Sequence, residues 1–101
     1  MDSLVVDDYE SIHKKTYVWK KEKGCAITIT EKGRKNILDP DQTIVWEEID
    51  DIKTLKDITE IYAEKKSINY ADALNQVSNI IDVLEKVQLI SLENYLWLED
   101  I

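Results

Sequence analysis

One histidine, one cysteine and several adjacent carboxylates are the residues of this 101-residue chain that could do chemistry. His13 stands beside Lys14 and Lys15 in a segment without clear hydrophobic periodicity, where a solvated side chain is expected rather than a general base. Cys25 opens the alternating run Cys25-Ala26-Ile27-Thr28-Ile29-Thr30, so it reads as a small hydrophobe on a buried strand face, not as an activated thiolate. With one Cys and one His, a zinc ion would need carboxylates for the rest of its ligands, and no usual ligand spacing is present. Glu47-Glu48 and Asp50-Asp51 are neighbours in sequence, which points the members of each pair apart and argues against a shared acid/base role. Two glycines in separate turns cannot form a phosphate-cradling loop. The sequence therefore predicts no catalytic residue, no metal and no cofactor, and a protein that is not an enzyme on its own.

What remains is binding, and it depends on how the elements are laid out. Tyr17-Val18-Trp19, Cys25–Thr30 and Arg34–Leu38 read as three short strands separated by the glycine-bearing turns Lys20–Gly24 and Glu31–Gly33, an antiparallel meander. In the second strand, Cys25, Ile27 and Ile29 alternate with Ala26, Thr28 and Thr30, the pattern of a strand with one buried face. Asp39-Pro40-Asp41 supplies a cap and a first-turn proline for a short helix over 42–49, and Thr54 with Asp57 caps a second that ends in Lys65-Lys66. A third and longest helix runs from about Asn69 or Tyr70 to Gln88, and Leu89–Leu92 and Tyr95–Leu98 follow as a strand or packed tail. Residues 1–15 read as an N-terminal extension ahead of a single domain over 16–101.

The third helix is the informative one. At 100° per residue its core stripe is Tyr70, Leu74, Val77, Ile81 and Leu84, while Ala73, Gln76, Ile80, Val83 and Val87 lie on the flank. Together the two sets cover about half the circumference, more than the roughly 100° a surface helix needs. Periodicity leaves two readings open: the flank is further core, or it lines a groove beside the sheet edge.

Charge narrows the partners. The net charge is −8, with eight Lys/Arg against six Asp/Glu in residues 1–38 and five against fifteen in residues 39–101. A helix of the acidic part would be repelled by nucleic-acid phosphate. No apolar run approaches the length of a membrane span, the first residues lack the basic start of a signal peptide, and the single cysteine excludes an internal disulfide, so a cytoplasmic protein is expected.

Several segments resemble the PqqD-like domains, also known as RiPP recognition elements, which bind the leader segments of ribosomally made, post-translationally modified peptides. The similarity is carried by a strand ending in Ile37-Leu38, by Trp46-Glu47-Glu48-Ile49-Asp50-Asp51, by Thr54-Leu55-Lys56-Asp57-Ile58, and by Ile80–Ile90 with its closing Leu89-Ile90 pair. It covers roughly Tyr17 to Leu92. Two positions depart from the family pattern: Asp51 and Gln88 stand where glycine is usual, and aspartate tolerates the left-handed conformation better than most residues. The resemblance implies an α+β, winged-helix-like fold, three N-terminal antiparallel strands followed by three helices. It also implies a peptide chaperone in natural-product biosynthesis that takes up the leader of a precursor peptide by strand addition. The pairing edge would be Arg34, Lys35, Asn36, Ile37 and Leu38, and the cleft wall Ala73, Gln76, Ile80, Val83 and Val87. The expected partners are the precursor peptide and a modifying enzyme, such as a radical enzyme, a cyclodehydratase or a leader peptidase. The protein itself would be a monomer or weak dimer without nucleic acid or membrane. Two alternatives stand beside this: a winged-helix DNA-binding regulator, against which Asp72, Asp82 and Glu85 on the third helix argue, and an adaptor or dimerisation module using Leu96, Trp97 and Leu98.

Overall fold

In the computed structural model, residues 11–93 are described, which leaves the expected tail segment Tyr95–Leu98 and residues 1–10 outside them. Two strands, β2 (Trp19–Glu22) and β3 (Cys25–Ile29), form a hairpin through Lys23-Gly24. Both turn residues have positive φ, 52° and 82°, as the two-residue turn matching strand twist requires. The turn is thus shorter than Lys20–Gly24, and β2 starts two residues later than the aromatic run suggested. A second turn, in which Gly33 has φ 82°, leads to β4 (Lys35–Ile37), giving an antiparallel sheet in the order β2-β3-β4.

Three helices follow. Asp39 caps α1 (Pro40–Glu48): its carboxylate accepts the Gln42 N–H at 2.7 Å, and the Gln42 side chain accepts the Asp39 N–H at 3.0 Å. Thr54 and Asp57 do the same for α2 (Leu55–Lys66), at 3.2 and 3.1 Å. Asn69 caps α3 (Tyr70–Lys86), which ends in a left-handed Gln88. The Gln88 N–H reaches the Glu85 carbonyl and the Leu89 N–H the Leu84 carbonyl, both at 2.9 Å, while Leu84 and Leu89 are buried.

The chain then closes on its own beginning. β5 (Ile90–Glu93) pairs antiparallel with β1 (Ser11–Lys14) in a separate two-stranded sheet. The strands are therefore not all N-terminal, and residues 11–14, expected within the extension, are a strand whose Ile12 is fully buried in the core. The fold is α+β, with three helices, one three-stranded sheet and one two-stranded sheet among the described residues.

Trp46, Tyr62, Ile12, Ile49, Ile58, Leu84, Leu89 and Ile90 fill the centre. Trp19 meets Trp46 edge-on at 5.9 Å between ring centroids, and the Lys14 ammonium lies 5.1 and 4.7 Å from the two rings. Burial holds the Lys14 pKa below its usual range, against the opposing pull of Asp51, Asp50, Glu47 and Glu48. One expectation is inverted. Ala26 and Thr28 face the core, whereas Cys25, Ile27 and Ile29 are half-exposed on the opposite face. The reason is the approach of α1: the Thr43 hydroxyl accepts the Ala26 N–H at 2.8 Å, and only small side chains fit where the helix comes this near.

Candidate functional site

β4 is one of the two edges of the three-stranded sheet, β2 being the other: β3 occupies one side of it and no described strand pairs beyond it. In an antiparallel ladder, alternate residues turn their N–H and C=O toward the partner. The Leu38 N–H donates to the Ala26 carbonyl at 2.8 Å and the Thr30 N–H to the Arg34 carbonyl at 2.9 Å, so in this register Asn36, paired with Thr28, also faces β3. Lys35 and Ile37 between them direct their backbone groups outward.

The five expected edge residues thus divide. Lys35 and Ile37 offer backbone donors and acceptors, and both side chains are exposed, Ile37 by 66%. The Arg34 backbone is used in the β3–β4 turn, its N–H donating to the Thr30 hydroxyl at 2.9 Å, which leaves its exposed guanidinium. Asn36 and Leu38 point inward: Leu38 is core, and the Asn36 amide nitrogen is buried without a partner. These two do not contribute as expected, because a strand with period two can turn only alternate residues to its open side.

The expected cleft wall lies on α3. Its buried stripe is Ala73, Val77, Ile81 and Leu84. Ala73, expected on the cleft wall, is fully buried, and Tyr70, expected in the core, is 42% exposed: the stripe is turned slightly from the one periodicity suggested. The flank Gln76, Ile80, Val83 and Val87 follows the i, i+4, i+7, i+11 spacing of one helical face. Ile80 and Val87 are half-buried, and Val83 is 42% exposed, a high value for valine on a helix with a packed side. A cleft of about 380 Å³ opens between this flank, the start of α1 at Asp39 and Gln42, and Tyr62 of α2. The Tyr62 hydroxyl donates to the Gln76 side-chain oxygen at 2.7 Å, which holds the glutamine at the rim. Burial raises the Tyr62 pKa, so the phenol stays a donor. Lys66 ion-pairs Asp41 at 2.7 Å nearby.

Sequence reasoning missed Tyr62 as the partner of Gln76 and Asp39–Gln42 as the end wall. Tyr62 sits on the buried stripe of α2, and nothing in its spacing marks its hydroxyl as reaching a neighbouring helix. His13 is not the fully solvated residue expected; its Nδ1 lies 3.1 Å from the Asp51 carboxylate, which also accepts from the Tyr17 hydroxyl at 2.9 Å. Cys25 is a half-exposed free thiol. No group of three or more metal-ligating side chains occurs among the described residues, and no described helix is long and apolar enough to cross a membrane. In comparisons with family models, curated proteins and solved structures, the chain matches none.

Proposed function

We propose that this chain is a non-catalytic peptide-binding protein of the PqqD-like kind. In this reading it takes up the leader of a ribosomally made precursor as an added strand on β4 and presents the rest of the peptide to a separate modifying enzyme or leader peptidase. The observation that carries the reading is the presence in one domain of both outward backbone groups, at Lys35 and Ile37, and a half-open apolar helix flank, Ile80–Val83–Val87. Backbone pairing supplies affinity for any extended chain, and the flank selects among side chains. Holding the leader raises the concentration of the attached segment around a bound enzyme without any chemistry by the chaperone.

A second observation supports the winged-helix-like, PqqD-like assignment. The two positions at which this chain lacks the family's glycine, Asp51 and Gln88, both have positive φ, 69° and 65°. The backbone there takes the conformation glycine adopts most easily, although the residues differ.

The test is calorimetric titration with synthetic 20-residue peptides tiled across short reading frames beside the gene. One peptide is expected to bind one to one, and Ile80→Asp and Val83→Asp each to abolish that binding while leaving the far-ultraviolet circular dichroism unchanged. Binding that survives both substitutions would remove the flank from the site and the proposal with it.

A further inference from the structure

At the Arg34 end of β4 lies a second cavity, of about 200 Å³, between the β3–β4 turn and the end of α3. Its lining includes four cations, Lys15, Lys32, Arg34 and Lys86, against the single carboxylate of Glu31. Lys20, Lys21, Lys53, Lys65 and Lys66 all reach a carboxylate, and Lys86 reaches Asp82 at 3.1 Å. Lys15, Lys32 and Arg34 reach none among the described residues. On a chain of net charge −8, three uncompensated cations around one cavity are a local reversal of sign.

The cavity and the cleft both take part of their lining from α3, on successive turns. Val83 lines the cleft and Val87, one turn on, lines the basic cavity; Asp39 and Arg34 likewise line one each. Between Arg34 and Asp39 an extended chain covers roughly 16 Å, and from Gln76 to Val87 a helix rises about 16 Å. The two segments therefore match in length. The surface is basic beside Arg34 and apolar along Ile80–Val87, and the cleft carries Asp39 and Asp41, the latter ion-paired with Lys66.

We infer that the peptide taken up at β4 carries a cluster of aspartate or glutamate side chains at the end lying beside Arg34, received in the cavity by Lys15, Lys32, Arg34 and Lys86. The inference rests on the strand addition proposed above. Carboxylates there relieve the mutual repulsion of the cations and form charge-assisted hydrogen bonds, bidentate at the guanidinium. The apolar wall sets the side chains in the middle, and the basic end fixes direction and register.

The test is selection of 16-residue peptides from a random display library, followed by titration of the winners against the native protein and Lys32→Glu/Arg34→Glu. The expected result is enrichment of Asp and Glu at one end of the winners. The double variant should bind them about tenfold more weakly at 20 mM salt, with a smaller ratio at 300 mM. Winners without acidic enrichment, bound equally by the variant, overturn the inference and leave strand addition standing, provided the Ile37 amide is protected in their complexes. Selection of nothing, or of peptides that leave that amide unprotected, overturns both. Displacement of the winners by a 20-base-pair DNA duplex also overturns the inference, since the cavity would then be a phosphate site.

Discussion

Replacing Gln88 with glycine should stabilise this protein, and the amount follows from the end of α3. Gln88 occupies the left-handed position after the helix, with φ 65°, where its N–H and that of Leu89 satisfy the last carbonyls at 2.9 Å each. The side chain is exposed and makes no hydrogen bond within the described residues, so its removal sacrifices no contact. A non-glycine residue in this conformation costs about 1–2 kcal/mol. Glycine gains back that strain but loses roughly 0.4–1 kcal/mol through the greater freedom of its unfolded chain. The net gain is about 0.5–1 kcal/mol, which for a domain of this size raises Tm by about 2–8 °C. Thermal denaturation followed by circular dichroism measures it, with Gln88→Ala as the control that keeps the strain and should give no such rise. Asp51→Gly should gain less, because Asp51 also accepts from Tyr17 and lies 3.1 Å from His13. A Tm for Gln88→Gly at or below the native value would refute the strain argument. It would also remove the support these two positions lend to the family assignment.

Other predictions follow from single groups. Asn36→Val should raise the urea midpoint, by about 1 kcal/mol in stability, because it deletes a buried amide donor that lacks a partner and places a β-branched residue in a strand. The same variant should bind peptide unchanged, since the Asn36 backbone faces β3. Thr43→Val should lower stability by about 1–3 kcal/mol, measured by the same urea titration, because the buried Ala26 N–H loses its acceptor. The Asp50 carboxylate is held at about 2, from an ordinary 3.8, by the Lys53 ammonium and by the Lys53 and Ile52 backbone N–H groups. A depressed carboxylate stabilises above its unfolded value and loses that contribution as pH falls through the folded one. The Tm difference between the native protein and Asp50→Asn should therefore be largest above pH 4 and shrink between pH 4 and pH 2.

The helices were legible because their ends carry local chemistry. Asp39-Pro40, Thr54 with Asp57, and Asn69 each supply a side chain that caps within three residues, and no distant part of the chain is needed to see it. The edge strand was legible for a similar reason, as its turn and the proline of α1 bracket it. What the sequence could not give depends on partners far along the chain. β1 is a strand because β5, about 80 residues later, pairs with it, and Ile12 is core for the same reason. The buried face of β3 was misread because alternation marks two faces without saying which one α1 will meet, and the close contact at Thr43 selected the smaller residues. On α3, periodicity separated stripe from flank closely: Ala73, at the border beside Leu84, joined the core, and Tyr70 left it because it is the first residue of the helix, where the end opens to solvent. Within the edge itself, the division of Lys35 and Ile37 from Asn36 and Leu38 needed the register with β3.

Amide hydrogen exchange at three consecutive residues bears most directly on the open edge. In the free protein the Asn36 amide, facing β3, should exchange slowly, while those of Lys35 and Ile37 exchange at nearly the rate of an unstructured chain. Saturating peptide should slow Lys35 and Ile37 to the level of Asn36. Protection of these two amides before any peptide is added, or fast exchange after saturation, would mean that β4 is not where a strand docks.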